Sequence, residues 1–246
     1  MIEWGEIPIA STVSGERRSA EDLEVLARYA ATDLSGASAA EIIRWSADVF
    51  GRRVVLSQSM ANTVLAHLVN AVAPEIDVIF LDTGYHFAQT LETRDRLAAS
   101  TQLNIISVTA PQSVADQEAE LGADLNKVNP DLCCKLRKVL PMEAKLKEYD
   151  AWMTGMRHAT ALHRKERQVV EYDAERQVIK VAPMLHWSDA QLLQYTLEND
   201  VVVNSLMYDG YPSIGCAPCT KRVAPGDDPR AGRWSGTGKT ECGLHI

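Results

Sequence analysis

The sequence predicts an α/β fold with a doubly wound, mostly parallel sheet flanked by helices. Three observations predict it. Short apolar runs suited to strands alternate with helical segments, polar turns separate each run from its helix, and one run is apolar enough to be buried on both faces. This alternation implies parallel strands joined by right-handed crossovers. Ligands of such a sheet bind at the carboxyl ends of its strands.

The expected strands of the parallel sheet are residues 54–57, 77–82, 104–108 and 151–155. A helix should follow the first two of them, the second helix running through about Ala99. Further along the chain, residues 169–171 and 177–181 are expected to form a hairpin.

Two capping boxes mark helix starts. In Ser38-Ala-Ala-Glu41 the Ser oxygen can accept the Glu41 amide hydrogen, while the Glu carboxylate accepts from the Ser amide. This pattern predicts a helix to about Phe50, with Gly51 past its end. Ser188-Asp-Ala-Gln191 predicts a second helix of this kind, to about Asn199.

We expect a single domain over residues 1–246. Residues 1–20 read as a weakly ordered leader. Residues 208–246 are dense in Gly and Pro and lose their apolar periodicity, which indicates a functional loop and a mobile C-terminal tail.

Composition narrows the class of protein. The chain has 246 residues, 46% of them hydrophobic, and a formal net charge of −8, which excludes disordered, collagen-like and coiled-coil classes. No apolar run approaches the roughly 18 to 20 residues of a membrane helix and no signal peptide is evident, so we expect a soluble, cytoplasmic protein. The acidic balance argues against nucleic-acid binding, and any anionic ligand must meet a local cluster of cations. Homo-oligomer formation is left open.

The cysteines are concentrated in the second half of the chain. The first 132 residues contain none, and the five that follow are Cys133, Cys134, Cys216, Cys219 and Cys242. Without an export signal a disulfide framework is not expected, which favours metal ligation or redox chemistry. Asn129 and Pro130 predict a helix start just before the first pair, where the helix dipole favours thiolates.

Four of these cysteines form two pairs, Cys133-Cys134 and Cys216-Ala-Pro-Cys219. Adjacent side chains on a helix diverge by about 100°, which is awkward for a single tetrahedral zinc ion. A [4Fe-4S] cube has four separate iron corners and tolerates this divergence better. An iron–sulfur cluster is therefore the leading interpretation, with structural zinc and inert or disulfide-bonded cysteines as alternatives.

Cys242 stands apart as the fifth residue from the end, in Lys239-Thr-Glu-Cys242-Gly-Leu-His245-Ile246. It is either a stray surface thiol or a nucleophile, and the nearby cations favour the nucleophilic thiolate. A lone nucleophile needs an external thiol for its resolution, and a mobile tail suits delivery to such a reductant.

The motifs around these cysteines resemble one family closely. They are Cys133-Cys134-Lys-Leu-Arg137-Lys138, Gly215-Cys216-Ala-Pro-Cys219-Thr, Arg230-Ala-Gly-Arg233-Trp234 and Glu241-Cys242-Gly-Leu-His245. In order and spacing, from about Val54 to the C-terminus, the chain is similar to the assimilatory sulfonucleotide reductases, in particular the cluster-bearing adenosine 5′-phosphosulfate (APS) reductases.

The resemblance implies a fold of the adenine-nucleotide α-hydrolase type and thioredoxin-dependent reduction of APS to sulfite and AMP, through an S-sulfocysteine intermediate. It implies Cys242 as nucleophile and a [4Fe-4S] cluster held by Cys133, Cys134, Cys216 and Cys219. The substrate-binding residues that it implies are Ser57, Ser59, Thr83, Gly84, Lys138, Arg157, Arg230, Arg233 and His245. Relatives often carry acidic residues in the first loop, where this chain has Ala61 and Asn62.

Three alternative functions remain. The first is a reductase of the 3′-phosphorylated substrate, or of both substrates, since one or two cations decide that preference. The second is an ATP-pyrophosphatase of the same fold, which requires a Ser-Gly-Gly-x-Asp-Ser loop that residues 57–62 do not supply. The third is a zinc-binding interaction module, which gives no reason for Cys242 beside His245.

Overall fold

The computed structural model describes residues 17–160, 165–239, 241, 243 and 244, and a six-stranded sheet lies at its centre. The strands are β1 Val54–Ser57, β2 Asp77–Asp82, β3 Ile105–Thr109, β4 Ala151–Thr154, β5 Val170–Asp173 and β6 Val178–Val181. The α-helices are α1 Ala20–Asp33, α2 Ala39–Phe50, α3 Val64–Val72, α4 Ala88–Ser100, α5 Val114–Leu121, α6 Leu125–Val128, α7 Pro130–Cys134, α8 Leu140–Leu146 and α9 Asp189–Glu198.

The sheet has the strand order β3-β2-β1-β4-β6-β5. Every neighbouring pair is parallel except β5 and β6, which form an antiparallel hairpin. From β1 the chain proceeds outward to β2 and β3, then returns to place β4 on the other side of β1. The point where the order reverses, between β1 and β4, is where a doubly wound sheet opens a crevice for ligands. The predicted fold class and the predicted hairpin are confirmed.

The two faces of the sheet are covered separately. Helices α1 to α4 pack on one face, where Leu56, Phe80 and Met153 are almost fully buried. On the other face Met142 and Leu146 of α8 pack against Trp152 of β4. Burial of both faces explains why the central strands read as continuous apolar runs.

Both predicted capping boxes are present. Ser38 Oγ accepts from the Glu41 amide at 3.3 Å, and the Glu41 carboxylate accepts from the Ser38 amide at 2.7 Å. The same reciprocal pair joins Ser188 and Gln191 at the start of α9. The helix boundaries follow these caps, as local side-chain chemistry predicts.

The described residues of the expected leader contact the domain. Residues 17–20 belong to the fold: Ser19 caps α1, and Arg18 forms an ion pair of 3.1 Å with the fully buried Asp150. A buried carboxylate requires such a partner, and this requirement draws the chain onto the domain. Residues 1–16 lie outside the described residues. In the described ranges, no helix is both long and apolar enough to cross a membrane.

Candidate functional site

The four paired cysteines line one cavity. Cys133 and Cys134 end α7, and Cys216 and Cys219 lie in the loop after residue 215. All four are thiols rather than disulfides. This cavity is partly open to solvent and is also lined by Lys138. It joins two cysteine pairs that are 82 residues apart along the chain, from Cys134 to Cys216.

A π-helical turn follows the first pair. The side chain of Asn129 accepts from the Leu132 amide at 3.0 Å and starts α7, with Pro130 in its first turn, as the sequence predicts. After Cys134 the helix widens into a π-helix, Lys135–Val139, before α8 continues the same segment. Single π turns inside α-helices are frequent at functional sites.

Burial and mutual repulsion raise the pKa of two of the four thiols. Burial, followed by the three other cysteines, raises the pKa of Cys133 to about 12. Burial, then Cys216 and Cys134, raises the pKa of Cys219 to about 11, against the opposing charges of Lys138 and Arg233. A metal centre would supply the positive charge that four adjacent thiolates need.

The donor set fits the predicted iron–sulfur cluster. A single zinc would need all its thiolates about 2.3 Å from a common centre. Four thiols around a shared cavity match a cube with four separate corners. Asn126 lines the same cavity, and its buried Nδ2 has no hydrogen-bond partner among the described residues, which leaves an N–H donor for an inorganic sulfide.

The carboxyl end of β2 contacts the cysteine loop. Thr83 is fully buried, and its Oγ1 lies 3.3 Å from Cys216 Sγ. Gly84 follows with φ +73°, where a Cβ would lie 3.2 Å from Arg137 Nη2. The buried Arg137 donates from Nε to the Thr83 carbonyl and from Nη1 to Gln117 Oε1 at 3.2 Å. Sequence reasoning missed Arg137, whose partners are 54 and 20 residues away along the chain.

The carboxyl end of β1 supplies the second part of the site. Ser57 Oγ accepts from Trp152 Nε1 at 2.7 Å, which ties β1 to β4 at the switch point. Ser59 is exposed in the following loop. A distant segment holds that loop in place, because the backbone N–H of Asn204 donates to the Ala61 carbonyl at 3.0 Å.

The predicted arginines have contacts within the protein. Arg157 donates to Asp189 Oδ1 at 2.7 Å and to the Trp187 carbonyl at 3.2 Å. Arg233 lies 4.4 Å from the ring centre of Trp234 and 3.3 Å from Ser213 Oγ. Arg230 forms an ion pair of 3.1 Å with Glu241. Their roles toward a substrate stay predictions.

The family model described as the phosphoadenosine phosphosulfate reductase domain matches residues 53–222, which include β1 to β6 and all four paired cysteines. The chain belongs to this family.

Sequence relatives extend the reductase match over nearly the whole chain. An adenosine 5′-phosphosulfate reductase of Streptomyces coelicolor is 47% identical over 234 residues, 95% of this chain and 99% of its own. One of Mycolicibacterium smegmatis is 44% identical over 225 residues, 92% of this chain and 95% of its own.

Solved structures agree on the fold. A phosphoadenylyl-sulfate reductase from Candida auris, in complex with phosphate, superimposes with a TM-score of 0.68 at 28% identity, over 85% of this chain and all of that one. An FMN adenylyltransferase from Candida glabrata, 13% identical with a TM-score of 0.51 over 84% of this chain and 76% of its own, shares the fold alone.

In this reductase the predicted nucleophile Cys242 and its neighbour His245 lie outside the described residues. Several of the residues around them are described. Lys239 forms an ion pair with Asp131 at the start of α7, and Gly243 and Leu244 lie against the other face of the sheet. Lys239 therefore lies beside the helix that carries the first cysteine pair.

Proposed function

We propose that this oxidoreductase reduces APS to sulfite and AMP with thioredoxin as the electron donor, in assimilatory sulfate reduction and cysteine biosynthesis. The relatives named adenosine 5′-phosphosulfate reductase, 41–47% identical over most of the chain, support the substrate. The observation that carries the proposal is the cavity in which four thiols face one another next to Lys138, against the carboxyl end of β2.

The first step transfers an SO₃ group to the enzyme. The Cys242 thiolate attacks the sulfur of APS, an S–S bond forms, and the bond from that sulfur to the phosphate oxygen breaks. AMP leaves with the bonding electron pair, and Cys242 becomes S-sulfocysteine.

Thioredoxin completes the reaction with two electrons. Its thiolate attacks Cys242 Sγ, and sulfite leaves with the electron pair of the broken S–S bond. The second thioredoxin thiol loses its proton and attacks the mixed disulfide. Cys242 returns as a thiolate, and thioredoxin leaves oxidised.

Cationic side chains suit the charge of this substrate. We assign Lys138, Arg230, Arg233 and His245 to the phosphosulfate, because charge builds on its oxygens as the S–O bond breaks. Ser57, Ser59, Thr83, Gly84 and Arg157 are assigned to the nucleotide at the strand ends. Positive charge from Lys138 and Arg233 already acts on Cys219, which supports their closeness to the cysteine site.

We assign Cys133, Cys134, Cys216 and Cys219 to a [4Fe-4S] cluster. When bound, it supplies a fixed charge and a covalent tie between α7 and the loop of residues 216–219. Lys138 lies on the π turn beside the same cavity, so that one residue couples the cysteine site to the substrate site.

The test is mass spectrometry of the anaerobically purified enzyme after incubation with APS and without thioredoxin. We expect about four iron and four sulfide per chain, and a sulfonate on the peptide that contains Cys242. Cys242→Ser should abolish sulfite formation and keep its iron and AMP affinity. A sulfonate on another residue, or sulfite formation by Cys242→Ser, would contradict the assignment of the nucleophile.

The same preparation separates APS from its 3′-phosphorylated analogue, which the solved Candida auris relative is named for. We expect sulfonate transfer from APS to be faster. Faster transfer from the analogue would mean that the enzyme prefers the 3′-phosphorylated substrate.

A further inference from the structure

The hairpin turn between β5 and β6 reaches the end of the chain. Arg176 in this turn donates from Nη2 to the carbonyl of Gly243 at 3.3 Å, across 67 residues of sequence. Gly243 is the residue immediately after Cys242. One side-chain hydrogen bond thus joins a turn on the sheet edge to the backbone next to the proposed nucleophile.

Arg176 is held rigidly for this contact. Its side chain is only 4% exposed, and it pairs with Asp173 at 2.9 Å and with Glu143 of α8 at 3.5 Å. Its guanidinium also lies 6.0 Å from the ring centre of Trp152. Because carboxylates on two elements offset its charge, Arg176 acts here as an oriented hydrogen-bond donor rather than as an anion site.

The residues beside this hydrogen bond are also docked. Leu244 is 9% exposed and packs in the apolar cluster that includes Met142 and Trp152. Gly243 has φ +84°, and a Cβ at this position would lie 3.3 Å from Val139 Cγ2 on the π turn. The backbone after Cys242 therefore lies close against the helix that carries the cysteines.

We propose that Arg176 is a positioning residue for sulfonate transfer: its bond to the Gly243 carbonyl, together with the apolar seat of Leu244, sets where Cys242 meets the substrate. This inference rests on the proposed function. On the other side of Cys242, Glu241 pairs with Arg230 at 3.1 Å, so a contact fixes each neighbour of the nucleophile. Holding a nucleophile at both neighbours reduces the motion that must be lost in the transition state.

The experiment compares Arg176→Met, Arg176→Lys, Leu244→Ala and the control Arg167→Met in the holoenzyme. Arg167 pairs with Glu171 on the same hairpin, and its side chain is 33% exposed. Two rates are measured by peptide mass: sulfonation of Cys242 at saturating APS in a single turnover, and alkylation of Cys242 by iodoacetamide without APS.

We expect Arg176→Met and Leu244→Ala to slow sulfonation about tenfold, the effect of losing one oriented contact, and to speed alkylation several-fold. AMP affinity and iron content should stay at the wild-type level. Arg176→Lys keeps one donor and should recover most of the sulfonation rate, and Arg167→Met should match the wild type.

Other outcomes overturn the inference. Wild-type sulfonation and alkylation rates in Arg176→Met would remove Arg176 from this role. Loss of iron or of AMP affinity together with the sulfonation rate would make it a structural residue of the hairpin. A wild-type enzyme that takes up no sulfonate refutes the proposed function, and the alkylation rates then decide separately whether Arg176 docks the tail.

Discussion

At the residue scale, two glycines leave the space in which a neighbouring arginine side chain packs. Gly84 lies against Arg137, and Gly215, which precedes the second cysteine pair, lies against Arg233. A Cβ on Gly215 would be 2.3 Å from Arg233 Nη2 and 2.6 Å from its Cζ. A Cβ on Gly84 would lie 2.8 Å from Val114 Cγ2 and 3.2 Å from Arg137 Nη2, so a side chain there would displace the valine first.

Gly215→Ala should displace Arg233 and weaken substrate binding. We expect the KM for APS to rise about tenfold, because a displacement of about 1 Å in a charge-binding group costs that much or more. Steady-state sulfite formation measures it, with iron analysis on the same samples.

The matched control for this prediction is Gly238→Ala in the same C-terminal segment. No atom lies within 4 Å of a Cβ built on Gly238, so this variant should keep the wild-type KM. An unchanged KM in Gly215→Ala would mean that Arg233 is not held at the substrate by this packing.

At the element scale, the cysteine cavity joins parts of the chain that share few other contacts. Helix α7 and its π turn lie on one side of it, and the loop of residues 216–219 lies on the other. The loop is also fastened by Thr83 at the end of β2 and by the Tyr85 carbonyl, which accepts from the Ala217 amide at 2.7 Å. A cluster bound by all four thiols would add a covalent cross-link between them.

Removing iron by anaerobic chelation should therefore destabilise the protein. We expect the free energy of unfolding to fall by about 4 kcal/mol, the order expected for a cross-link that closes a loop of this length. Urea unfolding measures it, and limited proteolysis should cut first within residues 208–239.

Cys219→Ser is the internal control, since it should lose iron on purification and change little on further chelation. Equal stability of the iron-containing and iron-free wild type would show that the hydrogen bonds of Thr83 and Ala217 hold the loop without a cross-link.

At the scale of the whole molecule, the sheet buries the ammonium group of Lys180, and burial among apolar side chains disfavours its charged form. Lys180 of β6 is 5% exposed, and its ammonium lies 5.1 Å from the ring centre of Trp152. Burial lowers its pKa from 10.5 to about 8, while the nearby Asp173 partly offsets that effect. A lowered pKa means that the unfolded chain holds this proton more tightly than the fold does.

Stability linked to Lys180 should therefore depend on pH in a defined window. It is fully present above pH 10.5, where the residue is neutral in both states, and is lost as the pH falls through about 8. Lys180→Met removes the penalty, so at pH 7 we expect the variant to be more stable by about 2 kcal/mol, allowing for the lost ring contact.

Urea unfolding from pH 6 to 10 tests this prediction. The difference from the wild type should shrink above pH 8. Lys147→Met, at an exposed position of the turn that follows α8, should differ from the wild type by less than about 0.5 kcal/mol throughout. A constant difference for Lys180→Met would mean that the ammonium is solvated in the fold.

The sequence determined those features whose physical cause is local. Capping boxes at Ser38 and Ser188, the apolar runs of the parallel strands and the two cysteine pairs are each encoded within a few residues. Patterns of this length report backbone hydrogen bonding and side-chain periodicity directly, and for this reason the fold class and the hairpin were predictable.

Only the tertiary structure decided which distant groups meet. Arg137 reaches Thr83 across 54 residues and Arg176 reaches Gly243 across 67, and nothing in the sequence around either arginine indicates its partner. The π turn at Lys135–Val139 was likewise not predicted. The crossover from β3 to β4 carries Arg137 to Thr83, and the C-terminal segment carries Gly243 to Arg176. Burial then requires each guanidinium to find an acceptor where the packing brings one.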